Sequence, residues 1–224
     1  MAGKGAVMRK AKKEELEALS VFFAEQFYEK EQMQVMGRGL EPAKARQISI
    51  DLLKSQLSHI YKHGDIFVTG DISGAIAGIN GRKMTWFYLL PLLLSAMRTI
   101  FKSLSKEERK ILTKNAKAVN EAHSTSWHKK HCHGAPYYLA VFAVDKAERG
   151  HGHCRELLEG LFEHAGAAHK TIVLETHTKE NVPIYEHFGF ELIETKEAAD
   201  KSITEYRLLK RLGDELHIFP NITS

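Results

Sequence analysis

An apolar segment followed by a glycine-rich bend and an amphipathic stretch constrains the fold of this chain more than any other feature. Tyr137 to Val144 is rich in β-forming residues and almost entirely apolar, which predicts a central strand buried on both faces. The bend Arg149-Gly-His-Gly-His-Cys154 follows. From His153 to Ala165, apolar residues recur at helical spacing and charged residues take the other positions. This order predicts an α/β domain.

The bend has the composition of an anion-binding turn. Glycines allow a backbone to approach a ligand closely. The unpaired N–H groups of a first helical turn, together with the helix dipole, favour a phosphate or diphosphate. Arg149, His151 and His153 would add side-chain donors.

A dinucleotide-binding turn is the alternative interpretation of this bend. That motif needs a third glycine and a strand near the start of its domain. Here the third glycine is absent, and the bend lies two thirds of the way along the chain. It also follows Asp65–Thr69 and Ala75–Asn80, which predict two strands of a hairpin. The dinucleotide interpretation is therefore disfavoured.

The remaining elements fit one domain over residues 1–224, because neither a repeat nor a linker interrupts them. Ser105 and Glu108 have the spacing of a capping box inside a helical insertion at residues 85–130. The other predicted strands are Ala6–Lys10, Thr171–Thr176, Phe190–Thr195 and Ser202–Leu209, and the other predicted helices are Lys13–Tyr28, a second one from Glu41 to about Ile60, and Asn181–Phe188.

Composition narrows the class of partner and the compartment. The net charge of +4 is spread along the chain, so it fits a polyanionic small ligand and does not indicate nucleic acid. Cys132 and Cys154 are the two cysteines, and no apolar signal region follows the basic segment Met1–Lys13. We therefore expect free thiols and a cytoplasmic location.

One apolar run needs its own explanation. Trp86 to Leu94 is continuously apolar, and the run extends more weakly to Phe101. It is shorter than the roughly 20 residues of a membrane-spanning helix, so we expect no integral membrane span. We interpret it as a buried helix or the wall of a substrate pocket. A contact with a membrane surface or with a second copy in a homodimer is the alternative.

The second half of the chain resembles the GNAT superfamily of acetyl-CoA-dependent N-acetyltransferases. The family signature Gln/Arg-x-x-Gly-x-Gly/Ala is matched by Arg149, Gly152 and Cys154, although cysteine departs from the usual last residue. A later signature is matched by Leu174-Glu-Thr176 and by Asn181-Val-Pro-Ile-Tyr185 through Phe190. The resemblance spans roughly Tyr137 to Thr195 and is similar to the branch that includes puromycin acetyltransferase.

This resemblance implies an α/β (α+β) GNAT fold. Its central sheet would be mixed and mostly antiparallel, with about six to seven strands flanked by helices. The insertion at 85–130 would precede the central strand, and residues 135–212 would form the acetyl-CoA-binding core. Acetyl-CoA would be the co-substrate, and no metal is implied.

The resemblance also implies roles for individual residues. Tyr185 would act as the general acid that protonates the departing thiolate. Glu175 is the first candidate for the general base, followed by His131 and His133, and a water relay is a further alternative. The implied cofactor-binding residues are Phe142, Ala143, Val144, Arg149, Gly150, His151, Gly152, His153, Cys154, Asn181 and Tyr185.

We expect the acceptor to be a primary amine of a small molecule. Trp86, Phe87 and Tyr88 are the candidate substrate-binding residues. Two alternatives stay open. The acceptor would be a protein or peptide if acids such as those at positions 25, 29 and 31 guide a basic segment. The domain would be a non-catalytic acyl-CoA sensor if it binds without turnover.

Structural roles compete with these functional ones. Tyr185 could be a packed core residue, Asn181 a helix cap, and Glu175 an ion-pair partner. The density of histidine around Cys132 fits no standard zinc spacing, so a metal is disfavoured. A covalent acyl intermediate on Cys154 is also disfavoured, because direct transfer needs no nucleophile.

Overall fold

The structure is a computed structural model that describes residues 8–124 and 126–213, and its centre is a mixed β-sheet. In the described part of the chain this sheet has seven strands in the order β1-β2-β3-β4-β5-β7-β6. Every neighbouring pair is antiparallel except β4 and β5, which are parallel. The strands are β1 Arg9–Lys10, β2 Asp65–Thr69, β3 Gly74–Asn80, β4 Tyr137–Val144, β5 Thr171–Thr176, β6 Glu191–Glu197 and β7 Thr204–Arg211.

Helices cover both faces of the sheet. They are α1 Leu16–Phe27, α2 Glu31–Gly37, α3 Pro42–His63, α4 Trp86–Ser103, α5 Lys106–Ala122, α6 His153–Gly166 and α7 Asn181–His187. Short 3₁₀ turns occupy Lys13–Glu15, Gly81–Lys83, Trp127–Lys130 and Lys146–Glu148.

Alternation along the central strands builds two separate cores. In β2, Ile66 and Val68 belong to the core under α1 and α3, whereas Phe67 between them belongs to the core under α6. Side chains of a strand point alternately to opposite faces, so an all-apolar strand has to be covered on both sides. The layers are therefore helix, sheet and helix.

The fold expected from the sequence is confirmed. The hairpin strands, α3, α6, β5 and β7 lie within a few residues of their expected positions, and Ser105 and Glu108 form the expected capping box. Helix α2 lies in a segment for which no element was predicted. Of the predicted strand Ala6–Lys10, residues 6 and 7 lie outside the described residues. The assignment of 1–224 to one domain stays a prediction.

Helix α4 is not the buried helix that its apolar sequence predicts. Of its residues only Tyr88 is fully buried, whereas the side chains of Trp86 and Phe87 are 65% and 88% exposed. Leu93, Leu94, Met97 and Phe101 are also exposed. Continuous hydrophobicity cannot show which face of a helix is covered, and here only one face packs against the body. Among the described residues no helix has the length and apolar character needed to cross a membrane.

Candidate active site

The cleft of the molecule forms where β4 and β5 separate. The two strands pair only through Tyr137 with Ile172 and Tyr138 with Val173, at the start of each strand. Beyond this point they diverge, and a cleft of about 1010 Å³ opens between them. A parallel sheet is normally continuous, so the split exposes strand edge that has no partner.

The open edge of β4 presents specific main-chain groups to this cleft. The N–H of Asp145 donates to the carbonyl of Ser73, so Asp145 faces β3. In an antiparallel pair, residues alternate between those bonded to the neighbour and those turned away. The main-chain groups of Phe142 and Val144 therefore face the cleft, whereas those of Ala143 face β3. Phe142 and Val144 are two residues apart and have the same orientation, so they provide a strand edge to which an extended ligand can form hydrogen bonds.

A β-bulge lies at the point where the strands diverge. Ala77 opposes Val141 and Gly78 opposes Leu139, which leaves Ala140 without a partner on β3. Bulges bend a strand and increase its twist. A β-carbon at Gly78 would overlap the Tyr137 ring and the carbonyl of Tyr138, so glycine is what lets β3 follow β4 here. The bulge accounts for the bend of β4 away from β5.

The glycine bend closes one end of the cleft. Gly150 and Gly152 line it with φ values of 85° and 90°, a conformation that other residues adopt at a cost. Gly152 is the N-cap of α6, so the first N–H groups of this helix have no acceptor within it. An added β-carbon at either glycine would meet no atom within 4 Å, so side chains do not block the bend.

The predicted side-chain donors of the bend differ in position. Arg149 and His153 line the cleft, whereas His151 does not and is largely exposed. The ring of His153 lies between two carboxylates, 3.6 Å from Glu148 and 3.9 Å from Glu156. These acids reduce the positive potential of the bend, so its capacity for an anion comes mainly from main-chain N–H groups.

Cys154 lines the cleft beside the bend. Burial raises the pKa of its thiol, and Arg155 lowers it only in part. Burial therefore opposes formation of a thiolate at this position, although the residue lies in the first turn of a helix. That no acyl-cysteine forms stays a prediction.

Tyr185 lies in the cleft wall opposite the open edge of β4. It is on α7, buried, with its ring centroid 6.4 Å from that of Phe142 and 5.6 Å from that of Phe190. Burial raises the pKa of its hydroxyl, so it carries its proton at neutral pH. The Tyr185 ring therefore packs in the core and also lines the cleft.

Asn181 connects α7 to the end of β5. It is the first residue of α7, and its side-chain amide donates to the Thr176 hydroxyl over 3.1 Å. The N-cap residue is Glu180, so the alternative role of Asn181 as the helix cap is wrong. Asn181 lines the cleft next to Tyr185, and the bond to Thr176 holds it there.

Glu175 lies on β5 and faces the same cleft. The indole N–H of Trp127 donates to its carboxylate over 2.5 Å. Burial raises the pKa of Glu175, and the neighbouring Glu205 raises it further, while the Trp127 bond opposes both. A carboxyl group with a raised pKa is suited to taking up a proton near neutral pH.

A buried ionic cluster continues from Glu175 along the sheet, and sequence reasoning did not find it. Glu205 is fully buried, and it accepts from His123 over 2.8 Å and from Arg207 over 2.7 Å. Burial opposes ionisation of Glu205, but these two bonds lower its pKa. The bond to Glu205 in turn raises the pKa of His123. Arg207 also reaches Glu194, and the three strands carry Glu175, Arg207 and Glu194 in one row.

A signal for this cluster was present in β7. Glu205 and Arg207 alternate with Tyr206 and Leu208, which lie on the opposite face of this strand. Two charges of opposite sign at i and i+2 lie on the same face of a strand, which is typical of a buried ion pair. Their partner His123 is at the end of α5, and no local pattern connects it to β7.

Several predicted site residues lie away from the cleft. His131 and His133 are exposed and do not line it. Trp86, Phe87 and Tyr88 do not line it either, so their acceptor-binding role stays a prediction that the cleft geometry does not support. Within residues 8–124 and 126–213, no group of three or more His, Cys, Asp or Glu side chains could hold a metal ion.

Comparison of the sequence with known protein families points to the same part of the chain that forms the cleft. The acetyltransferase (GNAT) domain family matches residues 125–209, which contain β4, the glycine bend, α6, β5, α7 and β6. This match covers less than half of the chain, and it includes the diverging strands, the bend, Glu175 and Tyr185.

One curated relative matches part of the chain. An uncharacterized N-acetyltransferase of Schizosaccharomyces pombe is 41% identical over 54 residues. The match covers 24% of this chain and only 22% of the length of that relative.

Solved structures share the fold of the GNAT domain and its flanking elements. A Corynebacterium glutamicum protein described as histone acetyltransferase HPA2 and related acetyltransferase has a TM-score of 0.64 at 16% identity, over 97% of this chain and 99% of its own. A Staphylococcus aureus N-acetyltransferase has a TM-score of 0.58 at 19% identity, over 91% and 100%. A Drosophila melanogaster polyamine N-acetyltransferase that forms N-acetylagmatine has a TM-score of 0.56 at 15% identity, over 92% and 99%.

Proposed function

We propose that this chain transfers an acetyl group from acetyl-CoA to a primary amine of a small molecule by direct attack. The observation that carries the proposal is a single cleft that combines three features. It has an unpaired strand edge at Phe142 and Val144, an unblocked glycine bend at the end of that strand, and two proton-transfer groups, Glu175 and Tyr185.

The cofactor would lie along the open edge of β4. Its pantetheine amides would bond to the main chain of Phe142 and Val144, as an added strand does. Its diphosphate would accept from main-chain N–H groups between Gly150 and Cys154, supported by Arg149 and His153. Ala143 would contribute its side chain only, because its main-chain groups face β3. His151 lies outside the cleft lining, which gives it no support in this role.

The chemistry would proceed in one displacement. Glu175 takes a proton from the acceptor ammonium, and the free amine attacks the thioester carbonyl carbon. The new C–N bond forms as the C–S bond breaks, while a main-chain N–H of β4 donates to the developing oxyanion. Tyr185 gives its proton to the departing CoA sulfur. The attacking nitrogen loses its second proton as the amide forms, and this proton restores Tyr185 through solvent, while Glu175 releases the first proton to solvent. Alignment of the two reactants in one cleft supplies much of the acceleration.

Glu205 is a second carboxylate of the cleft. Its bonds to His123 and Arg207 lower its pKa, so it stays ionised and does not compete with Glu175 for the proton of the acceptor. The activity of the Drosophila enzyme, which forms N-acetylagmatine, supports a small amine as the acceptor.

The peptide alternative has less support. Two of the acids expected to guide a basic peptide are already paired, Glu25 with Arg46 and Glu29 with Lys146. The side chain at position 31 lies outside what the structure describes. The sensor alternative is not favoured by any contact in the cleft, where both proton-transfer groups are present.

A CoA-release assay on a panel of amines and peptides tests the proposal. We expect turnover with small primary amines, and about a 10²-fold loss of kcat in Tyr185→Phe with unchanged acetyl-CoA affinity. Tyr61→Phe on α3 is the matched control, because this partly exposed ring lies outside the cleft. Absence of CoA release with every amine would refute the activity, and full activity of Tyr185→Phe would refute only the acid assignment.

A further inference from the structure

The exposed side of α4 forms a continuous apolar surface. With 3.6 residues per turn, its exposed apolar positions fall within an arc of about 120°. We call this surface the α4 stripe, and its members are Trp86, Phe87, Leu93, Leu94, Met97 and Phe101.

The packing of the part of the chain that the structure describes does not account for the α4 stripe. The opposite face of α4 anchors the helix, since Tyr88, Leu89 and Leu92 pack with the core that contains Trp127 and Val173. None of the stripe residues lines the catalytic cleft. Large exposed apolar patches mark interaction surfaces, because leaving them in water is unfavourable.

Every charged residue that α4 and its flanking segments contribute to the stripe is basic. Between Asp71 and Glu107 the chain has no acidic residue, whereas Arg82, Lys83, Arg98, Lys102 and Lys106 lie in this segment. By helical spacing, Arg98 and Lys102 lie along one edge of the stripe, and Arg82 and Lys83 precede its first turn. At its far end the Arg109 guanidinium lies 4.5 Å from the centre of the Phe101 ring.

We propose that the α4 stripe docks this protein on the surface of an anionic lipid bilayer. Helices that lie in a membrane interface combine an apolar face containing Trp, Phe and Leu with Lys and Arg beside it, and lack acids. A second copy of the chain fits less well, because pairing two stripes would bring their basic edges together. The charge therefore favours a negative partner over self-association.

The helix would lie in the plane of the interface. Its 18 residues span about 27 Å, which is shorter than a bilayer core, and Arg98 and Lys102 interrupt its apolar character. Lys102 also borders a polar groove of about 470 Å³ between α3 and α4, whose lining includes Lys54, Lys62, Ser95 and Thr99 and one acid, Asp51. Cations and hydroxyl groups at this level would meet the phosphates of the headgroups.

Tryptophan fluorescence gives a site-specific test on the intact chain. The chain has two tryptophans, of which Trp86 is 65% exposed and Trp127 is buried. We expect vesicles of phosphatidylcholine with about 30% phosphatidylserine to shift the emission of Trp86 to the blue. The effect should weaken with salt, because exposed charges are screened. Trp86→Phe should lose the shift while the protein still pellets with the vesicles.

Variants and controls distinguish the stripe from the rest of the surface. Leu94→Ser combined with Phe101→Ser should reduce co-sedimentation at least tenfold, and Lys102→Glu combined with Arg98→Glu should remove its dependence on phosphatidylserine. Leu192→Ser is the matched control, because this residue is an exposed leucine on β6. The variants should retain acetyl-CoA turnover, since these residues lie outside the cleft.

Three results would overturn the proposal. One is the absence of co-sedimentation with anionic vesicles at low salt. Another is equal binding to vesicles of phosphatidylcholine alone. The third is a mass of two chains by light scattering that Leu94→Ser with Phe101→Ser converts to one, which would assign the α4 stripe to a second copy.

Discussion

Glu175 and Glu205 line one cleft, yet their surroundings shift their pKa values in opposite directions. Burial raises the pKa of Glu175, and its hydrogen-bond donor is the neutral indole of Trp127. Glu205 is also buried, but His123 and Arg207 donate to it and keep it ionised. Environments that separate two carboxyl groups in this way assign them different tasks. Glu175 is suited to proton transfer and Glu205 to holding positive charge.

Replacing Glu175 tests this division at the residue scale. Glu175→Gln keeps the shape and the bond from Trp127 but cannot accept a proton. We expect kcat/KM near pH 7 to fall by about 10²- to 10⁴-fold. A base acts when it is deprotonated, so wild-type activity should rise with pH through a pKa above the ordinary 4.5 of a glutamate. In the variant this limb of the pH–rate profile should disappear.

Glu180→Gln provides the matched control for that measurement. Glu180 also lines the cleft, but it precedes α7 and lies outside the ionic cluster. Glu180→Gln should retain the rise of activity with pH that the wild-type protein shows. If Glu175→Gln kept both the rate and the limb, His123 or a water relay would have to supply the base.

At the scale of secondary-structure elements, the bend between β4 and α6 requires glycine for its backbone conformation, and the same bend forms the proposed binding site for the diphosphate. Gly150 and Gly152 adopt positive φ values, and the space beside them is empty. Glycine is therefore needed there for conformation and not for lack of room. The first residues of α6, His153 and Cys154, line the cleft.

A glycine replacement separates conformation from crowding. Gly152→Ala should destabilise the fold by about 1–2 kcal/mol, because a left-handed conformation costs an ordinary residue that amount. It should also raise the Kd for acetyl-CoA, since relaxation of the bend moves the N–H groups. Urea denaturation and calorimetry with acetyl-CoA measure the two effects.

Gly166→Ala is the matched control on the same helix. Gly166 ends α6, a β-carbon there would also meet no atom within 4 Å, and its φ is not positive. Alanine should be neutral or stabilising by up to about 1 kcal/mol, with no change in acetyl-CoA affinity. Equal effects of the two substitutions would contradict the role of the bend.

At the scale of the whole molecule, the cleft divides the sheet into two parts. Strands β1 to β4 form one part and β5, β7 and β6 form the other, joined by the short contact between β4 and β5. The core under α6 contains residues of both parts, such as Ile76 and Ile172, so α6 holds them together from one face. A ligand in the cleft would join them from within.

Thermal unfolding should report this effect of the ligand. CoA at a hundredfold excess over its Kd should stabilise the folded state by about 2.7 kcal/mol. For a chain of this length the midpoint should rise by about 5–10 °C. Tyr185→Phe should retain this rise in the midpoint, because the substitution removes a proton donor and not a group that binds CoA. An unchanged midpoint in wild type would contradict cofactor binding in the cleft.

Features that depend on local order followed from the sequence. The hairpin of β2 and β3, the capping box at Ser105 and the glycine bend were predicted because each is set by neighbouring residues and by backbone conformation. Asn181, Glu175 and Tyr185 were found as candidates through the family resemblance, and the structure brings all three to the cleft. The roles assigned to them stay proposals.

Other features arise only when distant segments meet. The unpaired Ala140 depends on β3, the state of Glu175 depends on Trp127, and the ionisation of Glu205 depends on His123. The exposure of α4 was predicted wrongly, since its periodicity offers two apolar faces and packing covers only one. Burial and charge are sums over neighbours in space, and a one-dimensional pattern contains only the neighbours in the chain.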